Sequence, residues 1–146
     1  MKIVVQRVKS SSVTIDEKLY SEIGKGLMVL LGVEKEDTEL QADYLAEKLL
    51  KLRIFEDENE KMNLSVSDIQ GDILIVSQFT LAGSCKKGTR PSFDNAMEPK
   101  RAKELYEYFC SLIEKSGLNT KTGVFAAMMN VALINDGPVT FVIESK

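Results

Sequence analysis

The 146-residue chain contains no histidine. That absence excludes Ser-His-Asp and Cys-His activation of a nucleophile, and every zinc site that needs an imidazole. Any catalysis must draw on hydroxyls, amides, carboxylates, backbone dipoles or groups of the substrate itself. Cysteine is scarce: Cys85 and Cys110 allow at most one bridge, and a reducing compartment disfavours even that. Cys110 falls on the apolar stripe of an expected helix and reads as core. Cys85 lies in a loop with Lys86 and Lys87, which favour a thiolate, but no histidine is there to serve as its base. Neither a metal nor a cofactor is expected. Long apolar runs are missing too. The longest, Leu27 to Val33, is too short to cross a bilayer, and Gln6 and Arg7 arrive too early for a signal-peptide core. The expectation is a cytoplasmic protein with no membrane association.

What is present describes an ordinary globular chain. Hydrophobic content of 44% beside 28% charged residues supports one domain over residues 1–146 with a real core. A net charge of −3 argues against indiscriminate coating of nucleic acid, though not against a local basic patch. No internal repeat, linker or low-complexity tract interrupts it.

β-branched residues predict a strand at 2–8, and Asp16-Glu17 between short strand-like runs predicts a hairpin. Leu27 to Val33, apolar on both faces, reads as a central strand. A helix should start at Thr38, with Gln41 completing a capping box and Leu40, Tyr44, Leu45, Leu49 and Leu52 near helical spacing. The acidic run Asp57-Glu58-Asn59-Glu60 reads as a solvated turn. Asp72 to Leu81 reads as another strand, and 82–97 as irregular. A second helix opens at Pro99, buries Ala102, Leu105, Tyr106, Phe109, Cys110 and Ile113, and stops at Gly117. The last third is strand-like at Val124-Phe125, 129–133 and 139–143, with Gly137-Pro138 as a stiff hairpin tip. Strands outnumber helices without βα alternation, so the fold class is α+β, mostly antiparallel and barrel-like, with two main helices.

Three stretches offer chemistry. Ser77-Gln78-Phe79-Thr80-Leu81 follows an apolar strand, and its polar groups must reach a sheet edge or be satisfied inside. They form either a polar subsite or a strand fraying into a loop. From Lys86 to Lys103, six cations outnumber Asp94 and Glu98 by four; this is a phosphate-binding patch or a solvated segment. Gly123-Val124-Phe125-Ala126-Ala127-Met128-Met129 either floors a compact pocket or is plain core.

Together, Ser77-Gln78-Phe79-Thr80-Leu81 and Asn135-Asp136-Gly137-Pro138-Val139-Thr140 resemble the two-motif signature of the D-aminoacyl-tRNA deacylases. Gln6-Arg7-Val8, Gly32-Val33-Glu34, Arg53-Ile54-Phe55, Lys61-Met62-Asn63-Leu64, Arg90-Pro91-Ser92-Phe93 and Asn119-Thr120-Lys121-Thr122-Gly123 look like family landmarks in the expected order. The resemblance implies a homodimer with active sites at the subunit interface. It would cleave the ester joining a D-amino acid, or glycine mischarged on tRNA(Ala), to the 3′ end of tRNA. It implies a cis Gly137-Pro138 peptide inserted into the partner's pocket, where the two carbonyls exclude an L side chain. Ser77, Gln78, Phe79 and Thr80 would form the catalytic face. Phe125, Ala126, Ala127 and Met129 would line the substrate site, and Arg7 would brace the Gly-Pro tip. Lys86, Lys87 and Arg90 would meet the tRNA. Positioning, an oxyanion donor among the amides near Phe79 and Thr80, and the terminal 2′-hydroxyl would then replace a strong base. Thr80 is read as a positioning group, because nothing nearby would activate it as a nucleophile.

The family often places an acid where this chain has Met128. If strand alternation holds there, Met128 and Met129 face opposite ways, and only Met129 lines the pocket. Two rival expectations remain open. One is a tRNA-binding module without catalysis, related to synthetase editing domains. The other is a dimer whose Gly-Pro turn serves packing alone.

Overall fold

The computed structural model describes residues 1–145. In chain order its elements are β1 (Lys2–Ile15), β2 (Lys18–Ile23), β3 (Gly26–Gly32), α1 (Glu39–Lys51), β4 (Phe55–Glu56), β5 (Met62–Leu64), β6 (Asp72–Ser77), a 3-10 turn (Phe79–Ala82), α2 (Pro99–Glu114), β7 (Thr120–Thr122) and β8 (Asn130–Glu144). β1 is the spine. β2 returns antiparallel to it through Asp16 and Glu17, whose φ values of 50° and 64° suit a tight hairpin turn. β3 pairs with Lys2 to Val8 of β1, while β2 pairs with Ser11 to Ile15.

β6 lies parallel to β3, and β7 parallel to β6. β3 is therefore covered on both edges and, as its two-sided apolar run predicts, almost wholly buried. Gly26 permits this contact, since a Cβ there would sit 1.8 Å from the Asp72 carbonyl oxygen. At the far side, the Ser21 hydroxyl donates to the Thr122 carbonyl at 2.9 Å. The mixed sheet thus curls nearly into a barrel. Its two faces carry separate cores. Ile3, Val5, Leu27, Val29 and Ile75 pack under the two helices, and Val8, Val13, Met28, Leu74 and Val76 pack on the other face.

The α1 cap forms as the sequence predicts: the Thr38 hydroxyl accepts from the Leu40 amide, and the Gln41 carbonyl accepts from the Thr38 amide at 2.7 Å. The buried stripe, however, is Ala42, Leu45, Ala46 and Leu49, while Leu40 is 74% exposed. Two alanines, rather than the bulkier Leu40 and Tyr44, face inward and let the helix approach its neighbours. In α2 all six expected residues are buried. The Glu98 carboxylate caps it by accepting from the Lys100 and Arg101 amides.

Three strand expectations are corrected. β6 ends at Ser77 rather than Leu81, because the Gln78 amide still reaches the Leu31 carbonyl at 2.8 Å and the chain then coils. Val124-Phe125 is no strand: the Ala127 amide donates to the Val124 carbonyl, and Ala126 has φ 63°. Nor is Gly137-Pro138 a hairpin tip. Residues 130–144 form one strand running antiparallel along β1, and the register jumps from Gln6–Thr140 to Val8–Asn135. β1 is long enough to pair both halves. Proline has no N–H for the ladder, and the extra residues leave it as a bulge.

Candidate active site

β6 delivers Ser77 to the end of the sheet, and the 3-10 turn carries Gln78 to Thr80 past it. The Gln78 side-chain amide donates to the Thr80 hydroxyl at 2.6 Å. The first amides of a helical turn have no partner within it. Accordingly, neither the Phe79 nor the Thr80 N–H reaches an acceptor among the described residues. Two free backbone donors therefore point from the turn, beside an amide–hydroxyl pair.

Ser77, Gln78 and Phe79 line a cavity of about 620 Å³, whereas Thr80 stands just beyond its lining. Val76, Ser77, Gln78 and Phe79 form one wall. Phe125 to Met129, with Val131, form the second. The third comes from Met97, Pro99 and Ala102, at the approach to α2 and in its first turns. A small apolar chamber with a few convergent polar groups suits a modest organic substituent. Gly123 makes room for the Met129 side chain: a Cβ there would lie 2.6 Å from the Met129 sulfur. Phe125 packs against Tyr106 at 5.9 Å between ring centroids, and the Tyr106 hydroxyl donates to the Ile75 carbonyl at 2.8 Å. Burial pushes the Tyr106 phenol far above its ordinary range and the Cys110 thiol up to about 12. Both stay protonated and act as packing.

Met128 and Met129 both line the cavity, contrary to the expectation that one would be excluded. Period-two alternation does not govern them, because they leave a turn rather than continue a strand. Met129 is half-buried against the barrel core, whereas Met128 is 90% exposed. The sequence reading overlooked Met97, Pro99 and Ala102. Ala102 carried a signal, as the one small residue on an otherwise bulky helical stripe.

The Gly137–Pro138 peptide is cis. The bulge around it is tightly bonded. The Asn135 side-chain carbonyl accepts from the Val139 amide at 2.6 Å, and its NH2 donates to the Thr140 hydroxyl at 2.9 Å. Arg7, 6% exposed, donates through Nε to the Asp136 carbonyl at 2.9 Å and through Nη1 to the Ile54 carbonyl at 2.7 Å. Gly137 has φ 144°, and a Cβ on it would approach the Val139 side chain to 2.6 Å. Asn135 is a second brace that the sequence reading did not separate from its motif. Neither Gly137 nor Pro138 lines the cavity of its own chain.

The basic stretch divides in two. Lys86, Lys87 and Arg90 are exposed on a loop closed by two backbone bonds between Ser84 and Ser92, 2.7 and 2.9 Å. Arg101 is committed to Glu39 and Glu104, and Lys103 lies 3.8 Å from Glu107. The pairing with Arg101 holds the Glu39 carboxyl below the ordinary range. Among the described residues, no group of three His, Cys, Asp or Glu side chains could hold a metal ion. No described helix is long and apolar enough to cross a membrane.

A family model described as "D-Tyr-tRNA(Tyr) deacylase" matches residues 4–144. A D-aminoacyl-tRNA deacylase of Koribacter versatilis (strain Ellin345) is 60% identical over 146 residues, covering 100% of this chain and 98% of its own. One of Persephonella marina (strain DSM 14350 / EX-H1) is 62% identical over 143 residues, covering 98% and 97%. Among solved structures, "c-Myc DNA Unwinding Element Binding Protein" superposes with a TM-score of 0.95 at 45% identity, covering 100% of this chain and 99% of its own. A chain described as "Structural Analysis of a probable eukaryotic D-amino acid tRNA deacylase" shares the fold, with a TM-score of 0.85 at 19% identity over 98% of both chains.

Proposed function

This chain belongs to the D-Tyr-tRNA(Tyr) deacylase family, and we propose that it hydrolyses the ester between a D-amino acid, or glycine, and the 3′ end of tRNA. The enzyme is an ester hydrolase. Water attacks the ester carbonyl carbon, the acyl C–O bond breaks, and the ribose oxygen leaves as a hydroxyl. The products are free amino acid and intact tRNA.

The observation that carries this reading is the unpartnered Phe79 amide beside Gln78 in the wall of an apolar chamber, with the unpartnered Thr80 amide next to it in the turn. An oxyanion forming on the attacked carbonyl would gain two preorganised donors. Gln78 holds the Thr80 hydroxyl in place, and Phe125, Ala126, Ala127 and Met129 bound the chamber. An aminoacyl ester is already activated, and the neighbouring 2′-hydroxyl of the substrate can assist water. The histidine-free chain needs orientation more than basicity.

Chiral selection falls to Gly137 and Pro138, whose flanking residues Asp136 and Val139 are held by Arg7 and Asn135. Because Gly137 and Pro138 stand outside their own chain's chamber, they serve the chamber of a second copy. An L side chain meets the two carbonyls, while a D-amino acid or glycine presents only hydrogen there. β8 supports the dimer: it is paired on the β1 side alone among the described residues, with Ile134 57% and Val142 63% exposed. An edge strand with apolar side chains in water calls for cover.

The test is deacylation of matched D- and L-aminoacyl-tRNA by the purified protein. Release of D-amino acid with the L-ester spared is expected. A persistently intact D-ester, despite salt-sensitive tRNA binding, would leave only a binding module.

A further inference from the structure

Two exposed aromatic rings meet at the edge of the chamber. Phe79 and Phe93 lie 5.1 Å apart with their planes tilted by 57°, and are 57% and 40% exposed. Phe55 and Phe109, by contrast, are almost completely buried. Phe79 also belongs to the chamber wall, so the pair continues the site outward. Phe93 is seated rather than loose. Its ring lies so close to Gly83 that a Cβ there would approach it to 2.9 Å, and Ser92 beside it closes the loop onto Ser84.

That loop, residues 83–92, carries Lys86, Lys87 and Arg90 and no carboxylate. The nearest acid, Asp94, accepts from the Ser92 hydroxyl at 2.7 Å. A local charge of this sign, on a chain of net −3, complements a polyanion. Exposed aromatic faces beside cations are what an unpaired polynucleotide needs, because bases stack on the rings while phosphates meet the charges.

We propose that Phe93, set against Phe79, stacks an unpaired base preceding the esterified nucleotide, and that Lys86, Lys87 and Arg90 hold the phosphates leading to it. This rests on the deacylase reading and adds a nucleotide-recognition site outside the chamber. It makes the enzyme a reader of a single-stranded 3′ end rather than of an aminoacyl-adenosine alone.

The experiment compares two substrates, D-aminoacyl-tRNA and the same D-amino acid esterified to adenosine. Phe93→Leu keeps apolar cover on Gly83 but removes the stacking face. It should raise KM for the tRNA roughly tenfold, the scale of one base–aromatic stack. Its kcat, and all kinetics on the adenosine ester, should stay unchanged, and Phe93→Tyr should behave as wild type. Replacing Lys86, Lys87 and Arg90 together by Gln should flatten the salt dependence of tRNA binding by a slope of about 2. An unchanged KM for tRNA, or an equal loss on both substrates, would overturn the proposal. An altered oligomeric state with an equal loss would assign Phe93 to a subunit contact instead. If Phe93→Leu fails to fold, the charge variant carries the comparison, weakening binding of the tRNA and not of the adenosine ester. Should the wild type cleave neither substrate, the deacylase reading itself fails. Should it cleave both while Phe93→Leu changes nothing, this proposal alone falls.

Discussion

The 3-10 turn at Phe79 and the bulge at Gly137 stand at opposite extremes of bonding. The turn follows a core strand, yet its first two amides are unpartnered and its aromatic ring is exposed. The bulge sits on an edge strand, yet Asn135 and Arg7 tie it down from both sides. Packing alone would favour the reverse, with the core region satisfied and the edge loose. The difference fits a division of labour. Groups that meet a changing charge must be free to bind it, while a steric gate works only if it cannot move.

The strongest test of that contrast is Gly137→Ala. Its Cβ would collide with Val139 in a backbone region closed to alanine. We expect kcat/KM on the D-ester to fall about 100-fold, the scale of a displaced site element, with the D-to-L ratio falling too. Stability should fall as well, because the strained residue presses on buried Val139. Loss of stability with intact selectivity would reduce the bulge to a packing device.

Removing a brace should do less. Asn135→Ala strands the amide of buried Val139 and should cost about 1–3 kcal/mol in urea unfolding, with selectivity lowered. On the opposite side, Gln78→Ala should lower kcat several-fold while leaving unfolding within about 0.5 kcal/mol of wild type. If Gln78→Ala proved the more destabilising of the two, the contrast between free turn and tied bulge would collapse.

The smallest effect lies outside both regions and serves as a control. Burial raises the Glu34 carboxyl, but its bonds to the Met1 ammonium and to Lys2 outweigh this and hold it below the ordinary 4.5. A folded value below the unfolded one stabilises the protein above about pH 4.5, and that contribution is lost as pH falls through the folded value. Glu34→Gln should remove this part of the acid limb in pH-dependent melting and leave D-to-L selectivity unchanged.

Much of this was legible in one dimension, wherever the deciding physics is local. The Thr38 cap, the α2 stripe and the Asp16-Glu17 turn depend on neighbours within a few residues. The two motifs are contiguous, so their chemistry could be listed before any fold was known. The α1 stripe was misjudged by scoring large apolar residues, when the surface facing α1 admitted Ala42 and Ala46. Alternation misled at Met128 because a turn at Ala126 had already broken the strand.

The amino-acid order by itself determined that no imidazole does the chemistry, where the helices start, and which two short motifs carry the polar groups. Only the tertiary structure decided that Gly137-Pro138 is a bulge in a continuous strand, braced by Arg7 and Asn135, and absent from its own chain's chamber. It also brought α2 against the Ser77–Thr80 turn to supply the third wall. The reason is one of range. Caps and motifs are settled by adjacent residues, whereas a strand's register depends on which distant partner receives its hydrogen bonds.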